Sequence, residues 1–303
     1  MKKVYLSGTA IAVILILGAY FYYSKPQPSE ITVAPMTDIV ATSEEATKAQ
    51  SVTNDDYEHI VSLAGSRVSV DNLDTFKLGQ NEISFKLFGL DGHEFGDEDL
   101  RTVKDKKMHL LIVREDMQGF AHIHPDYSAG KWHVQTDFTL PGTYNLYLDF
   151  DALEEKPTVL RVPLTIGSAD YSKQFPEPNS DMKIAVQGYD LTLTVIKPIK
   201  TKEATKLSFA LSKDGQTLTT IKPYLGTFGH VAAFRQTDVN DYFHVHALET
   251  TQINQGKVDF EAEFPVQGRY TLFAQFNIND QIVSFPITLD VALDGQASST
   301  TMH

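Results

Sequence analysis

Cysteine is absent from the 303-residue chain. That absence removes disulfides, thiolate metal ligands and cysteine nucleophiles together, and with them lipoprotein attachment through a thiol. Positive charge is scarce as well: 26 Lys and Arg stand against 39 Asp and Glu, a formal net charge of −13. With no basic stripe along the chain, this balance disfavours nucleic acid as a partner. Helical periodicity of ordinary length is missing after residue 24. What is present is 42% hydrophobic residues with 18 Phe and 13 Tyr, enough to pack a core over two ordinary domains.

Lys2 and Lys3 precede an apolar run from Val4 to Tyr23, about the 20 residues needed to cross a bilayer. Basic residues before the span and a long chain after it predict a single-pass anchor over 1–24, N-terminus inside and bulk extracytoplasmic. Tyr20 to Tyr23 form an aromatic cluster suited to the outer interface, and no small-residue cleavage site follows, which favours an uncleaved anchor over the alternative, a cleaved signal peptide. The membrane is therefore an expected partner through the N-terminal helix. Residues 25–64, rich in Ser, Thr, Pro, Glu and Ala, read as a flexible stalk.

From Arg67 the signal is β. RVSV and EISFKLFGL alternate apolar and polar residues before the turn at Asp91–Gly92, and KWHVQTDFTL and PGTYNLYLDF continue the pattern. A polar stretch over 168–181, with Pro176 and Pro178, reads as a linker. The pattern then restarts with DLTLTVI, KLSFALSKDG, KVDFEAEF and GRYTLFAQF. PGTYNLYLDF aligns with QGRYTLFAQF, placing Gly142, Tyr144 and Phe150 over Gly268, Tyr270 and Phe276. The expected fold is all-β: two tandem Ig-like antiparallel β-sandwiches, 65–167 and 182–291, followed by a frayed tail over 292–303.

Two stretches carry the chemistry. MHLLIVREDMQGFAHIHP, Met108–Pro125, reads as two strands joined by a charged turn. Alternation turns His122 and His124 to one face. A register pairing His109 with His124 sets Leu111 against His122, and all three imidazoles then share that face, with opposed Cβ atoms roughly 4.5–5.5 Å apart. GHVAAFRQTDVNDYFHVH, Gly229–His246, repeats the design: pairing His230 with His246 sets Ala232 against His244. Two hairpins of different loop length thus permit the same triple. Bland readings stand beside this one. An HxH pair can decorate a wet sheet face, and the two sets could join across a domain interface as one larger site or a packed polar seam.

Three neutral imidazoles without thiolate suit Cu(II) or Zn(II). Outside the cytoplasm, and with Met108 adjacent to His109, copper is the expected ion and zinc the alternative. No general base accompanies either triple except Asp126, two residues past His124, so binding is expected rather than catalysis. Tyr144 and Tyr270 read as structural corner tyrosines. Arg114 and Arg235 are expected to pair with loop carboxylates, His59 and His133 to lie at the surface, and Asp97–Asp99 to form a solvated loop.

The hairpin MHLLIVREDMQGFAHIHP followed by TLPGTYNLYLDF, with FGHVAAFR, FHVH and GRYTLFAQF in the second copy, resembles extracytoplasmic bacterial YtkA-like proteins. In general plan it is similar to CopC-type copper-binding sandwiches. The resemblance covers about residues 65–291 and implies an Ig-like sandwich that handles copper in the cell envelope, where an envelope protein is a possible partner. The chain departs from the CopC pattern in having no N-terminal histidine when the anchor is retained. The expectation is a membrane-anchored protein for metal buffering or delivery, using His109, His122 and His124 in one sandwich and His230, His244 and His246 in the other. The alternative is a structural or adhesion module whose histidines pack the domain interface.

Overall fold

The computed structural model describes residues 57–58, 67–71, 73–238, 240, 242–248 and 253–292. The expected anchor over 1–24, the tail from 293 and His59 lie outside the described residues. Among the described residues no helix is long and apolar enough to cross a membrane.

Every described element of more than three residues is a strand. In the first sandwich, one antiparallel sheet orders Thr158–Ile166, Gly142–Phe150, Met108–Arg114 and Phe120–Ile123. It faces a second sheet built on Gly79–Phe88 and Lys131–Phe138. Alternation sends Ile83, Phe85, Leu87, Trp132 and Phe138 inward against Leu110, Ile112, Leu146 and Leu148. The second sandwich repeats the plan. Tyr242–His246, His230–Arg235, Gly268–Ile278 and Gln281–Ala292 form one sheet, and Tyr189–Thr194, Ala204–Lys213 and Lys257–Glu263 lie in the other. Its core gathers Leu191, Leu207, Phe209, Phe260, Phe276 and Phe285. Within the segment expected to be stalk, Tyr57–Glu58 forms a short strand paired with Tyr242–His246.

The Gly-x-Tyr pattern fastens one corner in each copy. Tyr144 donates its hydroxyl to the carbonyl of Leu140 at 2.9 Å, and Tyr270 donates to that of Val266 at 2.9 Å. Gly142 and Gly268 enter these corners with φ of +132° and +144°, a region that side chains with Cβ rarely occupy. Each corner hydroxyl leaves a carbonyl unpaired when deleted, so Tyr270→Phe is expected to lower unfolding free energy by about 1 kcal/mol, measured by urea titration. An unchanged midpoint would remove the bond from the account of the fold.

The two histidine-bearing sheets meet face to face. Leu111, Val113, Met117, Tyr147 and Val159 of the first sandwich form one buried apolar cluster with Ala232, Phe234, Tyr242 and Phe273 of the second. Phe120 lies flat on Phe273, ring centroids 4.1 Å apart with planes 6° from parallel. Strand Met108–Arg114 is therefore buried on both sides along its whole length. That explains its unbroken apolar run, which a half-exposed strand would replace with alternation. The odd positions, His109, Leu111 and Val113, face the other sandwich, while Met108, Leu110 and Ile112 face the core.

Candidate metal centre at the domain interface

Strand register matches the expected one, except that the ladder of the first hairpin ends before the expected His109–His124 pair. Leu111 pairs with His122, and His230 and Ala232 pair with His246 and His244. His109, His122, His230, His244 and His246 are all buried, and His124 is half-buried. The two sets do not remain separate, because the apolar contact beside them presses one histidine face onto the other. His122 and His244 have ring centroids 5.1 Å apart, His109 and His244 5.5 Å, and His122 and His230 5.7 Å.

Ligating atoms converge as expected in the second triple and differently in the first. Among the described residues, one group is His109, His122 and His244, and the other is His230, His244 and His246. The first thus takes its third imidazole from the opposite sandwich in place of His124, and His244 belongs to both. His124 keeps ring centroids 5.0 Å from His109 and 4.8 Å from His122, at the margin of the cluster. Strand pairing in the first hairpin stops at Leu110 with Ile123, one position earlier than in the second.

Hydrogen bonds fix which nitrogen points where. A carbonyl can only accept, so His109 Nε2–H donates to the carbonyl of Val103 at 3.3 Å, and His230 Nε2–H to that of Tyr224 at 3.0 Å. Both acceptors sit in matching tight turns, Val103–Lys106 and Tyr224–Thr227, whose central residues have φ of +46° and +65°, and +51° and +69°. His122 Nδ1–H donates across the interface to Gln275 Oε1 at 2.8 Å. These bonds leave His109 Nδ1 and His122 Nε2 as the inward atoms, and they face each other at 3.0 Å. His230 Nδ1 and His244 Nε2 repeat the arrangement at 3.2 Å.

Burial holds these rings neutral. It lowers His109 to about 4 against a favourable bond to Val103, and His230 to about 3 against the bond to Tyr224. His124 falls to about 3, chiefly by burial and then by the charge of a protonated His109. His122 and His244 lie well below the ordinary imidazole value for the same two causes, burial first and neighbouring imidazoles second. Asp149 stands where Gln275 stands in the other copy, and each pairs with the first histidine of its hairpin. Burial raises its carboxyl to about 7, although Tyr242 of the second sandwich donates its hydroxyl to Asp149 Oδ2 at 3.1 Å.

Acid stability follows from these shifts. Below about 6.5 the unfolded chain takes up protons on its histidines that the native rings refuse until about pH 4 or lower. Asp149 works oppositely, binding its proton in the folded state up to about 7. Five lowered imidazoles outweigh one raised carboxyl, so stability falls as pH drops below about 6.5. With chelator present, the urea midpoint at about pH 4.5 is expected below that at about pH 7; a midpoint that rises on acidification would contradict it.

Several expected neighbours are elsewhere. Met108 is fully buried in the first core, on the face opposite His109, and Met117 packs in the apolar part of the interface. No thioether therefore joins the imidazoles from either, and the preference for copper loses that support. The physical reason is parity: adjacent strand residues point to opposite faces. Asp126 is exposed on a strand paired with Lys131–Phe138. Arg114 pairs with Asp116 at 2.7 Å and Arg235 with Asp238 at 3.4 Å. His133 bonds Ser84 and Glu82 on the outer sheet. Asp99 caps its own short turn, accepting from Gly96 N at 2.7 Å. Gln275, Asp149, Tyr242 and the two turn carbonyls are the parts of the site that the histidine pattern did not announce.

No curated protein matches the chain. Among solved structures, it is similar to alpha-2-macroglobulin from Salmonella at 11% identity over 77% of this chain and 15% of that one, TM-score 0.24. It is similar to a tetra-tandem repeat in the extending region of a large adhesion protein at 12% identity, over 76% of this chain and 49% of that one, TM-score 0.24. Fibronectin(III)-like modules of Clostridium thermocellum CbhA give 12% identity over 78% and 98%, TM-score 0.19. The chain thus spans less than half the length of the first two, and none of these likenesses bears on what it binds. A family model described as a domain of unknown function, DUF8832, matches residues 42–167 and 184–292, one segment per sandwich, and the chain belongs to that family.

Proposed function

We propose that the interface between the two sandwiches holds a transition-metal ion, Cu(II) with Zn(II) as the alternative, for buffering or delivery outside the cytoplasm. One observation carries the reading. In each histidine pair the inward nitrogens face one another, and in the first pair both outer nitrogens already donate to carbonyl-type oxygens. Two neutral rings so anchored present lone pair to lone pair at 3.0 Å, which repels unless a cation lies beside them. A shared proton would require an imidazolium in a site whose burial opposes it.

A metal ion relieves the repulsion without that cost. Ligating histidines ordinarily donate their remote N–H to a carbonyl or carboxylate, which fixes the tautomer and aims the lone pair. Inward separations of 3.0 and 3.2 Å approach the edge, roughly 3.3 Å, of a tetrahedron with bonds of about 2.0–2.1 Å. His109, His122 and His244 would hold the ion in one convergent set, and His230, His244 and His246 in the other. Since His244 serves both convergent groups, the reading is one shared site rather than one per sandwich. An N-terminal anchor would place it at the membrane surface, where an envelope protein could supply or receive the ion.

The second reading, a structural or adhesion module, is favoured by the continuity of the histidines with the apolar cluster of Leu111, Phe234 and Phe273. Titration of the chain with Cu(II) and with Zn(II) separates the two. The metal reading expects about one tightly held ion per chain and a rise in melting temperature on loading. Uptake no stronger than at surface histidines, with unchanged melting, would leave the packing role alone.

A further inference from the structure

We propose that His124 is the entry ligand of this site, the residue that passes the ion between solvent and the buried imidazoles; the inference rests on the metal reading above. The five other histidines of the cluster are at most 7% exposed, so an ion that reaches them must pass something at the margin. His124 is the half-buried member. Its Nε2 is enclosed and has no hydrogen-bond partner, although the residue as a whole is only half-buried. One ring thus lies at the boundary, with a bare nitrogen on the enclosed side.

The sequence builds this difference from its counterpart. In the second copy, FHVHA continues the ladder: Ala247 N–H donates to the carbonyl of Gly229 at 3.1 Å, and His246 ends 1% exposed. In the first, FAHIHP places Pro125 at the position of Ala247. Proline has no N–H to give to Met108, the counterpart of Gly229, and it restricts the residue before it. Pairing therefore stops at Ile123, and His124 stands one step off the sheet, still within 5.0 Å of the His109 ring centre and 4.8 Å of the His122 ring centre. It is near enough to hand an ion to those two rings and absent from the convergent groups that would hold it.

A ligand used in passage changes rates in both directions and leaves the equilibrium almost alone. Loading of the full chain with aqueous Zn(II), and its removal by a chromophoric chelator, are followed by stopped flow. His124→Gln is expected to slow both by about tenfold with the dissociation constant held within about threefold. His246→Gln is expected to weaken binding instead. Native protein supplies a second measurement: in metal-free buffer an acylating imidazole reagent should modify His124 ahead of the other five of the cluster, and loading should slow in step with modification of His124 and not with that of His93 or His133. His124→Gln with native rates, or with a dissociation constant raised as much as in His246→Gln, would overturn the assignment. No tight uptake by the native chain would instead sink the metal reading itself.

Discussion

His244→Ala is expected to raise the dissociation constant for Cu(II) or Zn(II) by on the order of 100-fold or more, beyond what loss of an orienting partner costs. The size follows from position. His244 belongs to both convergent groups, and its Nε2 faces His230 Nδ1 at 3.2 Å. The stoichiometry distinguishes a shared site from two separate ones. Were each sandwich to bind its own ion, loss of His244 would leave His109, His122 and His124 intact, and half of a two-ion uptake would persist. With a shared site no tight uptake remains. His133→Ala, on the outer sheet beside Glu82 and Ser84, removes a histidine without affecting either measure. Melting in metal-free buffer checks that the variant still folds, since a buried ring replaced by methyl leaves a cavity.

The histidine register was legible because strand parity is rigid. Once HxH is placed on a strand, parity alone decides whether the third histidine of each hairpin shares its face, and the register has that parity in both. The same parity places Met108 on the opposite side from His109, a consequence that adjacency in sequence conceals. The tandem repeat was legible through Gly142, Tyr144 and Phe150 against their counterparts. Superposing those strands also sets Asp149 over Gln275, two polar residues in apolar company at positions that reach across the interface.

What the sequence held less openly is that the two sets form one cluster. The signal was the unbroken apolar run LLIV, and VAAF in the second copy, which belong to strands buried on both faces. Alternation explains one buried face and is silent about what covers the other. Nor could residue types reveal the acceptors at Val103 and Tyr224, since backbone carbonyls are common to every residue and only the turn geometry aims them. The difference between HIHP and HVHA was visible, but its effect depends on where pairing ends.

Phe234→Ala should produce the largest loss of stability short of unfolding either core. The side chain is fully buried between the sandwiches, with ring centroids 5.1 Å from Tyr242, 5.2 Å from Tyr147, 6.0 Å from Phe273 and 6.2 Å from Phe120. Truncating a buried phenylalanine costs about 3–5 kcal/mol, and here the loss falls on the contact between two units that each own a separate core. Coupling should therefore break before either sandwich does. The single tryptophan reports this directly, because Trp132 lies in the first core while far-ultraviolet dichroism sees both sandwiches. In the native chain the two probes should share one urea transition; in Phe234→Ala they should separate. Phe209→Ala, inside the second core, is the control for destabilisation at a site away from the interface. Coincident transitions in Phe234→Ala would mean that the sandwiches are coupled by something other than this cluster, and the histidine site would then owe its assembly to that other contact.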